Sequence, residues 1–349
     1  MKHPITEQEV TIHAAYELAG AMTLPGAIDK KAGERNGEAA GQETEAVPGE
    51  GGRPDRGVSV RYPAILIIPG TGGNDRDGNS RMLRMNLYKD LAHVLTGLGW
   101  ATLRYDKRGI GRSKGSFLES GMWDQVDDAE ACLRYLEAHP QVDPNRILIL
   151  GHSEGCILGP ALNARHPVSG LILLAGVAGS LKDALPMQNE RAIGELEALT
   201  GFKGFLVRLL KVGNKARKQQ GKLFRRLEQS TVPVIRVQGK KLNAKWFREH
   251  LAYNVMDDLA KAACPTLAVT GDKDLQVDPA DAERMAAAVK GEGEWRIIPN
   301  MTHILKITEE TPAMLTLIKQ YKRMAGEPIA PELAEVLQQW LQAHYERSA

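Results

Sequence analysis

Six short apolar runs, most of them followed by a segment of helical periodicity, constrain the fold of this chain more than any other feature. They stand at residues 64–69 (AILIIP), 101–105 (ATLRY), 146–150 (RILIL), 171–175 (LILLA), 266–270 (TLAVT) and 295–299 (WRIIP). Each is too short for a helix and lacks regular polar alternation, so each reads as a strand buried on both faces. Between them, residues 82–97 carry a helical pattern that closes on a glycine. Residues 123–138 place Val126, Ala129, Leu133 and Leu136 at helical spacing before His139-Pro140 stops the pattern. Asp278-Pro279 supplies a cap and first turn for a helix over 280–289, and a last helix runs over 331–345. Strands alternating with helices through right-handed crossovers predict an α/β fold: a doubly wound, mostly parallel sheet with helices on both faces.

Three stretches depart from this alternation. Residues 9–25 (EVTIHAAYELAGAMTLP) alternate apolar and polar positions with a glycine near the centre, which suits an antiparallel hairpin or a pair of edge strands; the expectation is a hairpin belonging to the core within residues 1–26. Residues 27–57 hold mostly Gly, Glu, Ala, Lys and Arg and no aromatic residue, too little apolar surface to offset ordering entropy; the expectation is a disordered surface loop. From 179 to 262, helix-forming segments follow one another with one weak strand candidate at 232–238. That predicts an inserted helical cap dividing the core into 58–178 and 263–349.

Composition narrows the function classes. The 349 residues carry 45 Lys and Arg against 43 Asp and Glu, a formal net charge of +2, so there is no general electrostatic case for nucleic-acid binding. No apolar stretch approaches the ~20 residues that cross a bilayer. The start, MKHPITEQEV, lacks the apolar centre of a secretory signal, and Cys132, Cys156 and Cys264 sit at unrelated spacings; both features point to a reduced, cytoplasmic setting. With no metal-ligand spacing and no dinucleotide fingerprint, no cofactor is expected.

The chemistry concentrates at Gly151-His152-Ser153-Glu154-Gly155, a G-x-S-x-G between a strand and a helix-compatible run. Small residues two before and two after the serine permit a tight, strained turn, which holds the hydroxyl above the carboxyl edge of the sheet beside a helix N-terminus. A serine hydroxyl needs a base to take its proton, and the base needs an acid to fix its tautomer. His303, in the loop after the run at 295–299, is the candidate base. Asp274, in the loop after 266–270, is the candidate acid, with Asp272 as its rival and Asp106 a distant third. The oxyanion donors are expected to be the backbone amides of Glu154 and of Thr71, the latter within Gly70-Thr71-Gly72-Gly73 after the first core strand. His152 is read as shaping the elbow, and His250 as a cap residue.

With PGTGGNDRDGN (69–79), RYDKRGIGRSKG (104–115), GHSEG, GDKDLQV and NMTHIL in that order, and WFREHLAYN (246–254) in the cap, the chain resembles the α/β-hydrolase superfamily and, within it, cap-bearing bacterial serine carboxylesterases. The resemblance implies a serine hydrolase that cleaves small-molecule carboxylic esters of short to medium acyl chain through an acyl-enzyme. A peptidase, thioesterase or acyltransferase would use the same machinery, and a binding protein without catalysis is the reading from another class. The family's usual His-Gly before the oxyanion residue stands here as Pro69-Gly70.

One basic segment, 202–226, interleaves nine Lys and Arg with apolar residues. The expectation is a cap helix whose apolar stripe covers the pocket while its charges face water. The other reading is a weak contact between the cap and an anionic membrane surface.

Overall fold

The structure is a computed structural model that describes residues 4–26 and 60–346; the loop expected at 27–57 lies outside the described residues. Along the chain the first elements are β1 (Ile5–His13), β2 (Glu17–Pro25), β3 (Tyr62–Ile68), α1 (Leu87–Gly97), β4 (Ala101–Tyr105), α2 (Met122–Ala138), β5 (Val142–His152), α3 (Gly155–Arg165) and β6 (Gly170–Leu174). Then come α4 (Leu181–Glu197), α5 (Gly201–Leu209), α6 (Val212–Glu228), the pair β7 (Val234–Val237) and β8 (Lys240–Asn243), α7 (Ala244–Ala252) and α8 (Met256–Leu259). The chain finishes with β9 (Thr266–Gly271), α9 (Asp281–Ala288), β10 (Gly293–Ile298), α10 (Leu317–Met324) and α11 (Pro331–Tyr345).

Eight strands form one sheet in the order β1-β2-β4-β3-β5-β6-β9-β10. The β1–β2 hairpin is antiparallel and joins β4 antiparallel; every other pairing is parallel. The central strands are apolar at nearly every position because both faces are covered. Alternate residues serve opposite cores: Leu66, Leu103, Ile149 and Leu173 pack with α2 and α3, whereas Ile65, Ile67, Leu148 and Ile172 pack with α1 and α11.

Two expectations need correction. The strand at 295–299 is not buried on both faces: Trp295 and Ile297 are each 38% exposed, because among the described residues β10 is an edge strand with β9 as its single neighbour. The helix expected from residue 82 starts at Leu87, since the Asn79 side chain accepts from the amides of Met85 and Asn86 and Asn86 takes φ 50°, which holds that segment out of the helix. The hairpin turns at residues 14–16, and Gly20 lies within β2. The weak strand candidate at 232–238 is β7, which pairs with β8 apart from the main sheet. Parallel strands bring the loops after β3, β5, β9 and β10 to one carboxyl edge. Among the described residues no helix is long and apolar enough to cross a membrane.

Candidate active site

Strand β5 turns sharply into α3 at Ser153, whose φ of 54° lies in the left-handed region that side chains rarely adopt. The flanking glycines are what make this turn possible. A Cβ at Gly151 would collide with the Gly155 carbonyl, and one at Gly155 with the Ile68 carbonyl of the neighbouring strand. The Ser153 amide donates to the Leu174 carbonyl at 2.9 Å, which ties the elbow to β6.

The loop after β10 carries His303 to this elbow. Its Nε2 lies 3.0 Å from Ser153 Oγ, and its Nδ1 lies 2.7 Å from Asp274 Oδ2. The second Asp274 oxygen accepts from the amides of Gln276 at 2.7 Å and Val277 at 3.2 Å, so the carboxylate is held by its own turn. Asp272 accepts instead from the Asn300 amide at 2.6 Å, and Asp106 accepts from the amides of Arg76 and Arg112. The structure therefore brings together Ser153, His303 and Asp274, and neither Asp272 nor Asp106. Both Asp274 and His303 are buried, while Ser153 is partly open to a cavity. Thr71 and Glu154 line that cavity beside Ser153, and among the described residues no acceptor pairs with either amide.

A family model described as "Serine aminopeptidase, S33" matches residues 82–310, well over half of the chain and a span that includes Ser153, Asp274 and His303. The chain belongs to this family of serine hydrolases. Esterase EstD of Thermotoga maritima is 23% identical over 70% of this chain and 55% of that protein. Lysophosphatidylserine lipase ABHD12 of Xenopus tropicalis is 37% identical over 28% of this chain and 22% of that protein. The chain thus spans about half the length, or less, of these curated relatives. Among solved structures, the α/β hydrolase GrgF from Penicillium sp. sh18 superposes with a TM-score of 0.56 at 16% identity, over 98% of this chain and 99% of that one. Est1E from Butyrivibrio proteoclasticus, solved with ferulic acid, gives 0.53 at 19% identity over 91% and 98%. The fold is that of the α/β hydrolases.

The cavity beside Ser153 measures about 500 Å³. Its walls are mainly apolar, with Leu181 and Leu185 from α4, Trp246 from α7, and Ile157, Val277 and Ile304 from the core. The basic segment does not cover it. Residues 202–226 form α5 and α6, no residue of either lines the cavity, and Phe202, Phe205, Leu209 and Leu210 are 74%, 54%, 60% and 52% exposed. Gly204 is the buried residue of α5 and Leu206 and Val207 are half-buried, so Phe202, Phe205 and Leu209 are the apolar residues of this helix that face out.

Beyond His152, sequence reasoning missed the side chains behind the site. Glu154 is buried, and its carboxylate accepts from Lys107 Nζ at 2.6 Å, Gln125 Nε2 at 3.1 Å and Trp246 Nε1 at 2.5 Å, with His250 Nε2 3.1 Å away. Burial alone would raise its pKa, but the Lys107 ammonium and the His250 ring more than offset that and hold it well below the usual carboxylate range. His250 is therefore not a pocket residue: it packs behind the elbow. His152 donates from Nε2 to the His303 carbonyl at 2.9 Å and accepts at Nδ1 from the Tyr88 hydroxyl at 3.0 Å. Burial, with the adjacent His303 ring, pushes the His152 pKa down to about 3, which keeps the ring neutral, and the His303 carbonyl, which can only accept, sets the tautomer. Burial pushes the Tyr88 hydroxyl up, so it stays protonated as a donor. The signals that could have found these groups were the charged Lys107 between strand β4 and a glycine turn, and the glutamate in the middle of an apolar elbow.

Proposed function

We propose that the chain is a carboxylesterase-type serine hydrolase in which Ser153, His303 and Asp274 act as a triad. The observation that carries this reading is the continuous hydrogen-bonded line from Asp274 through His303 to Ser153, opening into a mainly apolar cavity. Ser153 Oγ attacks the ester carbonyl while its proton passes to His303 Nε2, and Asp274 stabilises the imidazolium. The new oxyanion lies against the amides of Thr71 and Glu154. Collapse breaks the ester C–O bond, and the alkoxide leaves with the proton from His303. Water, deprotonated by His303, then attacks the acyl-Ser153 carbonyl and releases the carboxylic acid and free serine.

A cavity of about 500 Å³ with apolar walls suits a short to medium acyl chain. It does not suit an aminopeptidase substrate, whose ammonium would need a carboxylate, because among the described residues the single carboxylate lining the cavity, Glu154, is already committed to Lys107. The name of the Thermotoga maritima relative supports ester cleavage as well. The three free thiols favour a reducing, cytoplasmic setting.

The test is a panel of p-nitrophenyl esters of graded acyl length, run beside aminoacyl amides and a fluorophosphonate label. Ester turnover is expected to exceed amide turnover, and Ser153→Ala or His303→Gln is expected to lower kcat by about 10⁴- to 10⁶-fold and, for Ser153→Ala, to abolish labelling. Ester hydrolysis by Ser153→Ala at the wild-type rate overturns the reading.

A surface role accompanies it. Residues 202–226 carry nine Lys and Arg with no Asp or Glu, next to the outward apolar residues of α5. This combination supports docking on an anionic lipid surface, where cations meet headgroups and Phe202 and Phe205 enter the interface. Co-sedimentation with phosphatidylglycerol vesicles at low salt, but not with phosphatidylcholine vesicles, is the expected result; equal, negligible binding to both removes the idea.

A further inference from the structure

Lys107 follows β4, in a loop that the triad does not use, and its side chain is 3% exposed. Its Nζ donates to the Gly70 carbonyl at 2.7 Å and to Glu154 Oε2 at 2.6 Å. One acceptor is the carbonyl of the residue before Thr71 and the other is the side chain of Glu154, so Lys107 joins the two segments that carry the proposed oxyanion donors. The Gly70 carbonyl shares one planar peptide with the Thr71 amide, and in a trans peptide the C=O and N–H point in opposite directions. Holding the oxygen on one side therefore aims the N–H at the other. The preceding amide, Gly70 N–H, is fixed as well, by donation to the Tyr88 hydroxyl at 2.7 Å.

The loop has little with which to order itself. Pro69 has no amide hydrogen, and Gly70, Gly72 and Gly73 have no side chains, so its orientation must be imposed from outside. An ammonium buried against a carboxylate contributes little net stability, because the desolvation of both ions offsets their attraction. What this pair does add is a rigid link between two backbone segments.

We propose that Lys107 is a positioning residue of the oxyanion pocket, an ammonium that clamps the Gly70–Thr71 peptide to the Glu154 carboxylate so that both donor amides face the attacked carbonyl. The inference rests on the proposed serine-hydrolase reading. Lys107 touches neither substrate nor nucleophile and acts through the two amides. Its positive charge is matched by Glu154, so its effect is geometric: the donors need not reorganise when charge develops on the carbonyl oxygen.

The double variant Lys107→Met/Glu154→Gln carries the test, since Lys107→Met alone would strand a buried carboxylate. Steady-state hydrolysis of p-nitrophenyl butyrate and inhibition by an alkyl boronic acid, which adds to the serine as a tetrahedral anion, are measured on folded protein verified by circular dichroism. Expected are a kcat lower by about 10- to 100-fold, a KM changed by less than about threefold, and boronate affinity weakened in step with kcat/KM. Tyr88→Phe, which frees the Gly70 amide of the preceding peptide and leaves the ring packing in place, is expected to lower kcat by about tenfold in the same pattern. Wild-type kcat in a folded double variant, or in Tyr88→Phe should the double variant not fold, overturns the clamp, as does a loss confined to KM. Ser153→Ala, assayed in parallel, separates the two levels: activity surviving in Ser153→Ala defeats the hydrolase reading itself, whereas an inactive Ser153→Ala beside a fully active clamp variant defeats only the role of Lys107.

Discussion

Asp272 and Asp274 leave the end of β9 two positions apart and take different partners, one the Asn300 amide and the other the His303 ring. A carboxylate that orients an imidazole influences turnover by fixing the tautomer, and one that caps a loop does not. Asp274→Asn is accordingly expected to lower kcat by about 10²- to 10⁴-fold, while Asp272→Asn stays within a few-fold of wild type; steady-state ester hydrolysis distinguishes them. His152 makes a second residue-level case. Its folded pKa is near 3 against 6.5 for an ordinary histidine, so between those values the unfolded chain takes up a proton that the folded chain refuses. The stability linked to this group is thus complete above pH 6.5 and is lost as pH falls toward 3, at up to about 1.4 kcal/mol per pH unit. His152→Gln keeps a donor for the His303 carbonyl and does not titrate. Urea denaturation between pH 6 and 4 is expected to show a shallower loss of stability in that variant, and identical slopes would mean that His152 is protonated in the fold.

At the scale of elements, the turn from β5 into α3 was legible from Gly151 and Gly155 because backbone collision is a local matter. The same reasoning separates two helical glycines. Gly155→Ala pushes a methyl into the Ile68 carbonyl and is expected to destabilise by several kcal/mol or abolish soluble expression. Gly221→Ala, in α6 with open space around its Cβ position, is expected to stabilise by roughly 0.5–1 kcal/mol, read from the same urea midpoints. The start of α1 was not legible, because the side chain that stops it, Asn79, sits outside the helix. Helix α7 shows the limit more fully. Its Asn243 cap, its Trp246 and its His250 are all turned toward the core, where Phe117, Ser120 and Glu154 receive them. The pattern WFREHLAYN encodes an amphipathic helix, but not which buried carboxylate its indole will find.

The whole molecule wraps a continuous sheet so that two of its three thiols lie inside. Cys132 and Cys156 are buried and Cys264 is half-buried, and burial pushes all three thiols above their ordinary pKa. A native sample treated with Ellman's reagent is expected to titrate slowly and at no more than one thiol per chain, rising to three in guanidinium; rapid native labelling of two or more would contradict this packing. The sequence by itself determined the sheet, the carboxyl edge to which its loops return, and the alcohol and imidazole that meet there, because strand burial, helix periodicity and the sterics of a tight turn are properties of neighbouring residues. Only the tertiary structure decided which aspartate faces His303, that Lys107 reaches Gly70 and Glu154 across 37 and 47 positions of chain, and that Phe202, Phe205 and Leu209 of α5 are left outside. Those outcomes depend on which surfaces remain after distant segments have packed, and no local pattern carries that information.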